Sequence, residues 1–219
     1  MEFGIRTAFY IGKIPITETV VNTWIIMAVM ISFAIAGGRR FRNAAPDADL
    51  GRFGLVTEIL VDGLDRFIAS IMGQKAASFG PYMATLFSFL LLANLSGLIG
   101  FRPPTADLNT TLAFASISFI LIQGTALRSK GIVGYFKGFF EPMAFLFPLN
   151  VISEIATPIS LSFRLFGSMV GGMIIMSLLY RVVPILIPAP LHIYFDIFSG
   201  ILQAFIFTML TMVFISNAG

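Results

Sequence analysis

Apolar residues along this chain gather in runs long enough to cross a bilayer, and polar stretches punctuate them. The first run, 20–36, holds about 17 residues, enough for one span. Its end, Ala34-Ile35-Ala36, resembles a signal-peptide cleavage site, but Arg39, Arg40 and Arg42 follow at once and mark a retained anchor. After a polar linker (43–51), residues 52–72 change pattern. Phe53, Val56, Leu60, Leu64, Phe67, Ile68 and Ile71 make one helical face, and Arg52, Glu58, Asp62, Asp65 and Arg66 the other. Five charges are too many for a span, so an amphipathic helix is expected in the membrane interface, or against a soluble partner. Residues 81–101 make the second span, with Pro81 in its first turn. Residues 109–127 make the third, and in the loop between them Asp107 or Asn109 is available to cap the next helix.

The last two apolar stretches are too long to stand upright. Residues 143–180 would form about 57 Å of helix, against a hydrocarbon core of about 30 Å. Residues 191–217 would form about 40 Å. Pro184, Pro188 and Pro190 break the chain between them. The first stretch is either two spans broken at Pro158 or one helix lying far from the membrane normal. The local sequence IATPISLS offers little of a polar turn, which favours the tilted helix. The expected fold is an all-α integral membrane protein, one domain over 1–219. It has five membrane helices and one interfacial amphipathic helix, and its last two helices are long, strongly tilted and form a hairpin.

Composition agrees with that class: 57% of residues are hydrophobic, 11% are charged and the mean hydropathy is +0.92. The net charge of +3 then reads as loop bias, not as nucleic-acid affinity. Arg39, Arg40, Arg42, Arg52, Arg66, Lys75, Arg128, Lys130 and Lys137 fall on one side of the predicted spans. Arg6, Lys13, Arg102 and Arg181 fall on the other. By the positive-inside rule the amino terminus is outside and the carboxyl terminus inside. There is no cysteine, one histidine and no Walker-type glycine–lysine loop. Thiolate metal sites, histidine clusters and nucleotide chemistry are therefore not expected, and no cofactor is implied.

The chemistry-bearing residues lie inside the long helices. Arg164 is the one basic residue between Glu141 and Tyr180, with about 24 Å of helix on either side. A charge at mid-bilayer costs about 2.5–3.5 kcal/mol, and arginine practically cannot shed its proton to escape. Snorkelling or a structural partner is the bland explanation. Asn150, Ser153, Thr157, Ser160, Gly167, Ser168 and Gly171 share or border its face, a small and polar stripe along which another helix could pass closely. On the final helix His192, Asp196, Ser199 and Gln203 are spaced four, three and four apart and share a face. His192 and Asp196 either cap that helix or form a hydrated outer acid site. Glu154, with Asn150 and Ser153, forms a second polar cluster about 15 Å from Arg164 toward the other side. Two polar half-paths separated by a fixed cation suit two offset half-channels better than a continuous pore.

The segment SLSFRLFG followed by SM and GG, together with RPPTADLNTT at 102–111, the EP–FP–LN pattern at 141–150 and LQAFIFTMLT at 202–211, resembles subunit a of F-type ATP synthases. The resemblance runs through most of the chain. It implies an ion-conducting stator, not by itself an enzyme, that couples H⁺ or Na⁺ flow to rotation of a ring of c subunits. Implied partners are the c-ring, the subunit b peripheral stalk, the other synthase subunits and membrane lipid, and no nucleic acid. The implied setting is a bacterial plasma membrane or a mitochondrial inner membrane. Arg164 matches the family arginine that faces the ring carboxylates, Gln203 the glutamine of the final helix, and Glu154 the inner acid. Asp196 matches a relay position seven residues before the glutamine, and His192 is expected to help it. Two positions depart from the pattern: Ser168 stands where asparagine is usual, and Met173 where an acid or histidine is frequent. The competing reading is a secondary transporter in which Arg164 holds an anionic substrate. It would be favoured by internal repeats, and none is evident.

Overall fold

Long apolar runs fold as helices in a bilayer because only intrachain partners can satisfy their backbone N–H and C=O groups. The computed structural model describes residues 7–11, 14–43, 51–140, 144–182, 191 and 193–218. A short antiparallel hairpin comes first, β1 (Thr7–Ile11) and β2 (Ile14–Thr17), pairing Ile11 with Ile14 and Tyr10 with Pro15. This hairpin is an addition to the all-helical expectation. Its signal was two β-prone runs flanking Gly12-Lys13.

Then come α1 (Glu18–Asn43), α2 (Gly51–Met72), α3 (Ala76–Leu95), α4 (Leu108–Gly138), α5 (Phe147–Val182), a π-helical stretch (Ile193–Ser199) and α6 (Gly200–Asn217). Among the described residues, five helices are long and apolar enough to cross a membrane. Pro81 lies inside α3, not in its first turn, because the helix already starts at Ala76. Asp107 is the cap of α4, its carboxylate accepting from the Asn109 amide at 3.0 Å. Pro158 does not divide α5, which continues through it for 36 residues, about 54 Å. The alternative of two spans is thereby excluded.

Side-chain contacts give the helix directions. Asn94 donates to the Gly200 carbonyl at 2.8 Å, and Lys75 donates to the Ile215 and Ser216 carbonyls, so α3 and α6 are antiparallel. Thr111 meets Ser162 and Gln123 meets Glu154, so α4 and α5 are antiparallel as well. Since α4 turns back along α3 through the Phe89–Phe114 ring contact, α5 and α6 also run in opposite directions. The core is built on this arrangement: Met83, Leu90 and Ala93 of α3, Ala115 of α4, Leu165 of α5, and Ala204, Phe207 and Met212 of α6 are all fully buried.

Only the second half of α2 joins that core, through Ile68 and Met72, with Phe67 and Ile71 packed beside them. Val56 and Leu60, on the apolar face expected to lie in the membrane interface, are exposed, while Thr57 is buried beside Gly37 of α1. Basic residues sort to opposite ends of the bundle. Arg39, Lys75, Arg128, Lys130 and Lys137 lie toward one end, where Lys75 caps α6. Arg102 and Arg181 lie toward the other, where Asn22 donates to the Arg102 carbonyl at 2.9 Å.

Candidate functional site

α5 divides its residues sharply between two faces. Leu161, Ser162, Leu165 and Met169 are buried against α4 and α6, and the Ser162 hydroxyl meets that of Thr111 at 3.1 Å. Ser153, Ser160, Arg164 and Gly167 look outward, and a Cβ added at Gly167 or Gly171 would meet nothing within 4 Å. The small, polar stripe is thus an open face of this chain, with Phe163 and Ile159 beside it. Arg164 is exposed on that face and makes no hydrogen bond or ion pair with any described residue. A structural partner inside the chain, the bland explanation of this arginine, is absent among the described residues.

Gln203 is placed differently. It is buried within the bundle, and its amide nitrogen has no hydrogen-bond partner among the described residues. A Cβ at Gly200 would lie 3.8 Å from the Met169 methyl group, which fixes the register of α5 against α6. From that contact Gln203 lies about 4.5 Å and Arg164 about 7.5 Å toward the same end, so the two share a level but not a face. Ser168 turns its hydroxyl back to the Leu165 carbonyl at 3.0 Å, beside Arg164 and not bonded to it.

Glu154 is half-buried between α5 and α4, where the Gln123 amide donates to its carboxylate. The Tyr135 hydroxyl donates to the Gln123 carbonyl oxygen at 2.9 Å. Asn150 lies one turn away, donating to the Phe139 carbonyl at 2.9 Å. Sequence spacing could not have found Gln123 or Tyr135, because the link depends on a bend in α4 at Gly131.

His192 lies outside the described residues, and so does the side chain of Asp196. The backbone at Asp196 is π-helical, which corrects the argument from spacing. With i→i+5 winding, residues three and four apart no longer stack, so Asp196 and Gln203 are not set on one face by sequence interval alone. A buried pair also escaped the sequence reading: Asn94, which donates to Gly200, accepts from the Thr105 hydroxyl at 2.8 Å.

These features meet the known proteins at one point. The model of the ATP synthase A chain family matches residues 20–216, nearly the whole chain. The chain belongs to the ATP synthase A chain family. It is 40% identical to ATP synthase subunit a of Moorella thermoacetica, over 95% of this chain and 94% of that one. It is 37% identical to the sodium-ion-specific subunit a of Propionigenium modestum, over 99% of this chain and 78% of that one. A second subunit a of a Bradyrhizobium species is 37% identical, over 96% and 92%. As an A chain, it is a membrane-embedded, ion-translocating component of an F-type ATP synthase and carries no catalysis of its own. That displaces the transporter alternative.

Proposed function

We propose that the open face of α5 is where the ring of c subunits rolls past, with Arg164 at its centre and a half-channel on either side. The observation that carries this reading is Arg164, exposed on a strip of small residues and unpaired among the described residues. An ionised ring carboxylate is costly in the membrane unless a positive charge is close, and an arginine on an open face can supply one. Ser160, Gly167 and Gly171 keep the strip low, so another helix can approach within reach of the guanidinium. Glu154 and Asn150 serve the inner half-channel. Asp196, assisted by His192, serves the outer one, and Gln203 stands at the level of the arginine. Subunit b packs elsewhere on the chain as the peripheral stalk.

The chain has no cysteine, which makes the test direct. A single cysteine at Ser160 or Gly167 should form an oxidative cross-link with a cysteine on the outer helix of the ring in the assembled complex. A cysteine at Leu161, on the buried face, should not. Cross-linking from Leu161 alone would place the ring on another surface.

We infer further that the basic end of the bundle faces the cytoplasm, or the matrix, which puts the amino terminus outside. Asn109 and Lys130 are both exposed, at opposite ends of α4. Cysteine at Lys130 should react with an impermeant thiol reagent only from the inner side, and cysteine at Asn109 only from the outer. Labelling of both from one side would defeat the orientation.

A further inference from the structure

We propose that Gln123 and Tyr135 are positioning residues for Glu154, holding its carboxylate at the α4–α5 seam through a directed chain of hydrogen bonds. This rests on the reading of Glu154 as the inner half-channel acid.

The chain of bonds crosses a bend. Residues twelve apart on a straight helix would be separated by about 18 Å, yet the Tyr135 hydroxyl reaches the Gln123 side chain at 2.9 Å. Gly131 makes the return, with φ 69° and ψ 169°, a conformation that other residues rarely adopt. The bent segment is tied to α5 a second time, through the Asn150 amide on the Phe139 carbonyl. Tyr135 also stacks edge-on against Phe136 and Phe139, with ring centroids 5.6 and 5.2 Å apart, which limits its rotation.

The direction of the bonds matters. A primary amide can offer either its NH₂ or its oxygen to a neighbour. With Tyr135 donating to the oxygen, the NH₂ is left for Glu154, and a flipped amide would set two acceptors against each other. Glu154 makes no ion pair with any described residue. A lysine or arginine here would favour the carboxylate permanently. A neutral amide orients the acid and still lets it take up and release an ion.

The experiment uses the assembled complex in vesicles at matched subunit content, reading ATP synthesis driven by an imposed ion gradient. Glu154→Gln should slow synthesis, and Gln123→Leu should slow it about tenfold, the scale of a hydrogen bond to a charged group. Tyr135→Phe, nearly isosteric, should lose about threefold, the scale of a neutral bond. In the Glu154→Gln background, neither substitution should reduce the rate further, since both act through the acid. A wild-type rate in Gln123→Leu or Tyr135→Phe, with Glu154→Gln slow, overturns the proposal and leaves the role of Glu154 standing. Losses that multiply in the double variants overturn it too, because they mark a structural role. Should Gln123→Leu not assemble, Tyr135→Phe decides alone. A wild-type rate in Glu154→Gln overturns the half-channel reading itself, and this proposal with it.

Discussion

Arg164→Ala is expected to abolish ion-driven ATP synthesis while leaving passive ion exchange through the membrane sector intact or raised. The guanidinium makes no hydrogen bond or ion pair with any described residue, so its removal breaks none of these and the subunit should assemble. On the proposed reading, what is lost is the positive charge that steadies an ionised ring carboxylate and bars ions from passing directly between the half-channels. Moving one charge through 100 mV yields about 2.3 kcal/mol, so a leak at this point dissipates the gradient without turning the ring. Arg164→Lys should fail in coupled synthesis as well, because an ammonium is compact, strongly hydrated and able to deprotonate on desolvation. Synthesis under an imposed gradient, measured beside passive flux in the same vesicles, checks both variants. Coupled synthesis near the wild-type rate in Arg164→Ala would sink the central claim.

Gly200→Val is the second large effect, and it acts through packing. A Cβ at Gly200 would sit 3.1 Å from the Asn94 Cβ, with the Met169 methyl group at 3.8 Å on another side. Asn94 is not easily moved, being buried and bonded to both the Gly200 carbonyl and Thr105. Valine must therefore push α6 away from α3, at about 1–3 kcal/mol for overpacking plus the loss of an interhelical hydrogen bond. The displaced helix carries Gln203 with it. We expect little assembled subunit and no measurable coupled synthesis. Gly63→Ala, where an added Cβ meets nothing within 4 Å, should be neutral. Normal synthesis in Gly200→Val would mean that the α3–α6 seam tolerates a shift, and that the Asn94 bond is dispensable.

The helices were legible because a bilayer demands long apolar runs, and Arg164 was legible because a charge in such a run is conspicuous. Periodicity also picked out the stripe around it, though not whether the stripe faced inward or outward. That depends on which face of α5 meets α4, a matter of Leu161, Leu165 and Met169 finding partners far along the chain. The long reach of α5 could be weighed from composition, yet only the continuous backbone through Pro158 decided it. Three things lay beyond the pattern. Which residues of α2 join the apolar core follows from contacts with distant helices, the Tyr135–Gln123 bond follows from one glycine dihedral, and the π winding at Asp196 breaks the spacing rule that a sequence reading must assume.

The clasp between Lys75 and the last turn of α6 bears on how the subunit is made. Lys75 donates to carbonyls 140 and 141 residues later in the chain. During synthesis α3 enters the membrane with its Met83–Leu90–Ala93 face uncovered, and the helix that covers it is made more than a hundred residues later. Asn94 waits for Gly200 over the same interval, an amide without its interhelical partner. Contacts so distant form slowly, because a long loop must close before they contribute. A chain cut short before residue 200 would therefore keep this face of α3 without the helix that covers it.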